Sequence, residues 1–287
     1  MGEGSPVPDG PGRRRHRISD AETEQRMLRA AIDMVNRSGL TVSLDHISFE
    51  DIIRDAGVAR SAVYRRWPYK DLFFSDLLKE LARGSSPAIA NDNRAAIEAV
   101  RSAILERLDW LGDPDLRRAL VAEVLRRGAL EEFTVFRDSP EWRTYLALHA
   151  TFRSLPDGEL RREMGGALAE SEQGLIARLA GAYEQAASLL GLRLRPELNS
   201  SFAALARLSS ATIRGLVIMA PSNEAISDQR VWATPFGTPE PAEWSEPALG
   251  MAGLAVSFLE PDPEIEWDER RTETVRHTLT SGEWPAT

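Results

Sequence analysis

The chain has 287 residues, of which 43% are hydrophobic and 28% charged, and a formal net charge of −9. That is enough for one small and one larger domain of ordinary globular composition. There is no cysteine, which excludes a disulfide scaffold, a thiolate zinc site and a cysteine nucleophile. No apolar run approaches the roughly 20 residues that span a bilayer, and the N-terminus lacks the apolar segment of a secretory signal. The expectation is a cytoplasmic protein with no membrane partner.

Residues 1–18 are rich in Gly and Pro and then basic, with Arg13, Arg14, Arg15 and Arg17. This composition predicts a disordered arm. It is either a solubilising tail or an arm laid along the minor groove and phosphates of DNA. Ser19, with Glu22 three residues on, reads as a capping box opening a helix to about Arg37. Its stripe is read as Leu28, Ile32 and Val35, with Met27, Ala31 and Met34 beside it, and Ser38-Gly39 ends it. Val42 and Leu44 are expected in the core, and His46 as a surface or cap histidine.

Ser48 caps the next helix, with carboxylates near the positive end of its dipole. Phe49, Ile52 and Ile53 share its inner face, and Gly57 ends it. Val58 reads as a buried hinge. A second short helix runs from about Arg60 to Trp67, with Val63 and Trp67 inward and Arg60, Ser61, Tyr64 and Arg65 outward. Pro68 stops it. Two short helices joined by a tight glycine turn predict a helix-turn-helix, the second helix of which enters the DNA major groove. From Ala56 to Lys70 there is no acidic residue, while Arg60, Arg65, Arg66 and Lys70 are all present. In an acidic chain that asymmetry favours a phosphate-rich partner.

Ala56-Gly57-Val58, then Ala62-Val63-Tyr64, then Trp67-Pro68-Tyr69-Lys70-Asp71-Leu72 resembles the DNA-binding signature of the tetracycline-repressor (TetR) family. The likeness covers Ala21 to Leu81 and does not extend beyond it. Trp67 stands where the family commonly has Phe, Ile53 where Ala is frequent, and Ala59 where Ser or Thr is common. The resemblance implies a homodimeric one-component transcriptional regulator, usually a repressor released by a small-molecule effector. Carried onto matching positions, it implies that Ser48, Tyr64 and Lys70 contact phosphates of double-stranded DNA. Arg60, Ser61, Ala62 and Arg65 would then face base edges of a palindromic operator.

Lys70-Asp71-Leu72 opens a further helix to about Arg83, with Leu72, Phe73, Leu77, Leu78 and Leu81 as its apolar faces. The resemblance makes this helix the link between domains, and Gly84-Ser85-Ser86-Pro87 reads as the boundary. The organisation expected is a helix-turn-helix domain over 19–84, a helical ligand-binding and dimerisation domain over 85–260, and a loosely ordered acidic tail over 261–287. The second domain reads as a series of helices. One runs from about Arg94 to Leu111. Another opens at Asp113-Pro114 and is stopped by Gly128. A third opens at Ser139-Pro140 and runs to about Ser154. A long one reaches Leu190, with Gly165, Gly166 and Gly174 as places to bend or split. Pro196 opens a helix from Glu197 to Ala220, and a short helix spans Pro247 to Leu259. No strand is expected outside Leu192 to Leu194, so the fold class is all-α. The helix to Ala220 is apolar on more than one face and is either the centre of its domain or a subunit interface. Ser222 to Glu246 reads as an irregular, Pro-rich loop.

The four histidines, His16, His46, His149 and His277, are scattered and carry no metal spacing. There is no phosphate-binding glycine loop and no Gly-x-Ser-x-Gly elbow. No enzyme activity, cofactor or metal is expected. Trp142, Tyr145, His149 and Phe152 recur at helical spacing, with Trp110 and Phe133 as further candidates. This set is either core or the lining of an effector pocket. The alternative to a ligand-released repressor is a ligand-independent regulator or activator whose second domain serves only dimerisation.

Overall fold

The computed structural model describes residues 18–38, 47–84, 94–281 and 284. The basic arm before Ile18, His46, Val42, Leu44, Gly39 and most of the Gly84–Pro87 boundary lie outside them. The fold is all-α, with two small antiparallel ribbons.

Four helices form the N-terminal unit: α1 (Asp20–Ser38), α2 (Phe49–Ala56), α3 (Arg60–Arg66) and α4 (Lys70–Arg83). Ser19 Oγ accepts the Glu22 N–H at 3.1 Å, the first half of the capping box. The buried stripe of α1 is Met27, Ala31 and Val35, one position round from the Leu28–Ile32–Val35 reading. Trp67 and Phe73 are fully buried and meet edge to face at 5.0 Å. Each such burial is worth about 1.5–3 kcal/mol. Leu148 and Met164, from helices further along the chain, join this core. Leu72 of α4 faces solvent rather than the core.

The remaining helices build a larger body. They are α5 (Arg94–Leu105), α6 (Pro114–Asp138), α7 (Pro140–Ser154), α8 (Glu159–Leu189), α9 (Phe202–Met219), α10 (Ala225–Asp228), α11 (Glu246–Phe258) and α12 (Glu269–Ser281). Proline in the first turn and a side-chain cap recur. Asp113 accepts from Asp115 and Leu116 N–H at 2.8 and 3.2 Å, and Ser139 from Trp142 N–H at 3.2 Å. α6 lies at the centre, packed on α5 and α11.

Gly128 does not stop α6, which runs unbroken through it. A Cβ there would meet Val100 Cγ2 at 2.9 Å, so the glycine serves the close approach of α5 to α6 rather than a helix end. α8 likewise runs past Gly165, Gly166 and Gly174 without a break. α5 ends at Leu105, and Leu108–Gly112 forms a 3₁₀ turn. Pro196–Leu198 is also a 3₁₀ turn, and α9 starts only at Phe202, where Ser201 caps it.

β1 (Leu192–Leu194) pairs with β4 (Leu259–Pro261), and Arg193 meets Glu260 across it at 2.9 Å. β2 (Val231–Ala233) and β3 (Ala242–Trp244) form a hairpin inside the segment expected to be irregular. The tail is not loose over its described residues. α12 packs on the main body, with Val275 and Leu279 buried.

α9 is long and apolar enough, by length and composition, to cross a membrane. That exceeds the sequence expectation that no such run exists. Its Leu205, Ala206, Ser209, Ile213 and Val217 are buried against the body. Its outer side, with Leu208, Ile218 and Met219, is exposed.

Candidate nucleic-acid interface

The α2–α3 pair forms by local rules. Ser48 Oγ accepts the Asp51 N–H at 3.2 Å and starts α2. Gly57 ends it at φ 64°, donating its N–H to Arg54 O at 3.1 Å. A positive φ of that size is cheap only for glycine. α3 follows after two residues, with Ala59 at its start and no side-chain cap. Val63 and Trp67 are fully buried and set the roll of α3. Arg60, Ser61, Tyr64 and Arg65 are consequently exposed, and Ala62 is half-buried. Val58 is only partly buried against this core.

Trp67 does more than fill the place of a phenyl ring. Its indole N–H donates to Asp76 Oδ2 at 2.9 Å, and the Arg66 guanidinium lies over its ring at 5.2 Å. Asp76 also faces Lys79 at 3.5 Å, and Lys79 reaches Glu163 of α8 at 2.6 Å. One chain of contacts therefore runs from the end of α3 through α4 to α8.

The outward cations of α3 are paired. Arg60 meets Glu50 at 2.5 Å, and the Tyr64 hydroxyl donates to the same carboxylate at 3.0 Å. That hydrogen bond, with some desolvation, raises the Tyr64 phenol above its ordinary range. Arg65 contacts Asp20 at the start of α1, and Arg66 meets Glu24 at 3.3 Å. Sequence reading saw no acid between Ala56 and Lys70 and missed Asp20, Glu24 and Glu50, which come from other helices. These pairs are exposed, and such pairs contribute only about 0–1 kcal/mol each. A phosphate or a guanine edge offers the same guanidinium groups a comparable or better partner. Ser48 and Lys70 come together on one cleft of about 390 Å³, with Phe49, Asp71 and Phe74 in its walls.

The effector candidates do not converge as a set. Trp142, Tyr145 and His149 meet in sequence along α7, the first two edge to face, with ring centroids 5.1 and 4.4 Å apart, and Phe136 of α6 joins at 4.3 Å. Arg214 of α9 lies over both Trp142 and Tyr145, at 5.4 and 4.8 Å. Glu172 of α8 binds Arg214 at 3.0 Å and accepts from the Tyr145 hydroxyl at 2.8 Å. Burial opposes ionisation of Glu172, but the hydrogen bonds from Arg214 and Tyr145 outweigh it and hold the carboxyl below its usual range. Desolvation, and then the charge of Arg214, lower His149. Trp142 is 1% exposed, so its indole is filled in by these neighbours.

Trp110 lies elsewhere, against the main C-terminal core with Arg107 over its ring. Phe152 turns to the N-terminal core beside Gly165. Phe133 is buried in an adjacent cluster, bordered like the aromatic group by Phe136 and Leu146.

No protein-family model matches the chain, and no curated protein matches it. Among solved structures the chain is similar to full-length native TylP, a TetR regulator from Streptomyces fradiae. Identity is 16% over 92% of each chain, with a TM-score of 0.40. A TM-score of that size does not establish a shared fold, and the functional reading rests on α1–α4.

Proposed function

We propose that this chain is a TetR-type one-component transcriptional regulator that binds a palindromic operator as a homodimer and is released from it by a small-molecule effector. The observation that carries the reading is the outer face of α3. Arg60, Ser61, Tyr64 and Arg65 stand exposed on a seven-residue helix fixed by Gly57, Val63 and Trp67. In this reading Ser48, Tyr64 and Lys70 contact phosphates, and Arg60, Ser61, Ala62 and Arg65 face the bases. The Ser48 hydroxyl, already accepting from Asp51, keeps its own hydrogen for a phosphate oxygen.

α9 supports the dimer. Leu208, Ile218 and Met219 are exposed, and the Cα of Gly215 between them faces open space. A second copy of α9 would cover that stripe as one side of a four-helix bundle. Two recognition helices would then sit roughly 34–36 Å apart, or a multiple of that, on successive major grooves. The closed packing of Trp142, Phe136 and Tyr145 supports the second reading, a regulator whose C-terminal helices only dimerise.

The test is selection of bound sequences from a random DNA pool by the full-length protein at stated salt. One enriched palindrome is expected, and Arg65→Ala should relax preference at one base pair by about 1–3 kcal/mol. Salt-sensitive binding with no enriched sequence would remove the operator reading.

A further inference from the structure

A cleft of about 470 Å³ opens where the end of α8 meets the start of α12. Charged side chains of both signs line it: Glu266 and Asp268 from the segment leading into α12, and Arg270 and Arg271 from its first turn. Ser188 and Thr274 add hydroxyls, and Leu189 and the buried Val275 add an apolar wall. None of these charges has an ion pair among the described residues. Asp268 accepts the backbone N–H of Arg271 at 2.8 Å, which caps the helix, but it meets no cation. Opposite charges nearby do pair. Arg276 meets Glu273 at 3.1 Å further along α12, and Arg193 meets Glu260 across the β1–β4 ribbon. The cleft keeps its two signs apart.

Its positive side is held from behind. The Trp267 ring carries two guanidinium groups, that of Arg117 at 4.9 Å and that of Arg271 at 5.3 Å from its centroid. The indole N–H donates to the Thr272 hydroxyl at 2.9 Å, which fixes the ring. Arg117 is 3% exposed, and its guanidinium has no ion pair among the described residues, only a long hydrogen bond of 3.5 Å to the Gly191 carbonyl. The Nε of Arg117 and that of Arg271 are both buried without a hydrogen-bond partner. Desolvation, and then the charge of Arg271, hold Arg117 below its ordinary range, while Asp113 and Asp262 oppose the shift from beyond ion-pair distance. Other partly buried arginines here have a carboxylate: Arg126 has Glu123, and Arg214 has Glu172. A buried cation without a counter-charge is costly. This corner therefore carries a positive excess that an anion in the cleft would relieve.

A simple anion answers only half of the lining, because Glu266 and Asp268 would repel it. A ligand that carries both signs answers all of it. We propose that the cleft binds a small amphipathic zwitterion, of which a large apolar α-amino acid is the simplest case. The carboxylate meets Arg271 and Arg270, and the ammonium meets Glu266 and Asp268. The apolar side chain lies on Leu189 and Val275. Guanidinium groups suit a carboxylate because they can donate two parallel hydrogen bonds to it. The volume is in the range of small-molecule sites. The cleft shares no residue with the outer face of α3 or with the Trp142 aromatic group, and the inference does not depend on the operator reading.

The test compares probes that share one apolar body: L-phenylalanine, 3-phenylpropanoate, which lacks the ammonium, and 2-phenylethylamine, which lacks the carboxylate. L-Leucine, 4-methylpentanoate and 3-methylbutylamine form a second set. Binding to the full-length protein is measured by titration calorimetry at neutral pH and constant ionic strength. At least one amino acid should bind about tenfold more tightly than both of its single-charge analogues. Arg271→Gln should remove most of the advantage over the amine. Glu266→Gln combined with Asp268→Asn should remove most of the advantage over the carboxylate, and the Asn keeps an oxygen to cap α12. Circular-dichroism melting shows which variants fold, and the exposed Arg270→Gln takes the place of Arg271→Gln if that variant does not. Heat from neither amino acid, a single-charge analogue that binds as tightly as its amino acid, or an unchanged preference in a folded charge variant each overturns the site.

Discussion

Replacing Glu132 by Gln should make the protein more stable at alkaline pH and leave it nearly unchanged at acid pH. The unfolded chain titrates this carboxyl near 4.5, and the folded chain near 7. Between those values the folded state holds a proton that the unfolded state has lost. Stability therefore falls as pH rises through this window and levels off above it. At about 1.4 kcal/mol per pH unit, the loss across the window is about 3 kcal/mol. The neighbouring Tyr183 phenol is itself raised above its ordinary range by burial and then by Glu132, so it stays neutral throughout and does not blur the profile. Gln keeps the shape and removes the titration. Urea unfolding of both proteins at pH 5 and pH 8, at constant ionic strength, isolates the effect, because every other group cancels in the double difference. The variant should gain about 2.5 kcal/mol on the native protein between the two pH values, because pH 5 already lies inside the window. Parallel profiles, within about 0.5 kcal/mol, would show that the carboxyl is solvated or paired in the folded chain as well.

Gly191→Ala should destabilise the fold by about 2–4 kcal/mol in urea unfolding. The residue sits at φ 63°, and a Cβ would stand 2.7 Å from the Trp267 ring and 2.8 Å from Arg117. A loss below about 1 kcal/mol would mean that the ring moves aside freely. Trp67→Phe should cost about 1–3 kcal/mol, from the lost indole bond to Asp76 and the volume left empty. An unchanged urea midpoint would deny that bond a structural role. Glu50→Gln frees Arg60 and Tyr64 and removes a negative charge from the reading face, so DNA affinity at low salt should rise about two- to fivefold. A weaker complex in a fluorescence anisotropy titration would show instead that the carboxylate aims Arg60.

What could be read from the sequence is what local rules decide. Ser48, Asp113 and Ser139 cap helices through their own side chains within three residues. Gly57 ends α2 because the backbone there must turn left-handed. Those same rules mislead where a residue answers to a distant partner. Gly128 reads as a stop, yet it exists to admit Val100 from another helix. α12 is so charged that it reads as a loose tail, and the two residues that dock it, Val275 and Leu279, do so on a core assembled from the whole C-terminal half. Strands of three residues, such as Val231–Ala233, are too short for alternation to show.

The candidate interface divides along the same line. The outward set on α3 follows from the spacing of Val63 and Trp67. The carboxylates that hold it, Glu50 and Asp20, lie 14 and 45 residues away in sequence and meet it only once three helices have packed. Trp67 joins the two kinds of information. Its departure from the TetR pattern is visible in the sequence as one extra ring. Its consequence appears only with Asp76 beneath it, because the indole N–H then ties the end of α3 to the carboxylate that also faces Lys79, and through Lys79 to Glu163 on α8. An effector that shifts α8 would pull on that chain of charges, and α3 is at its other end.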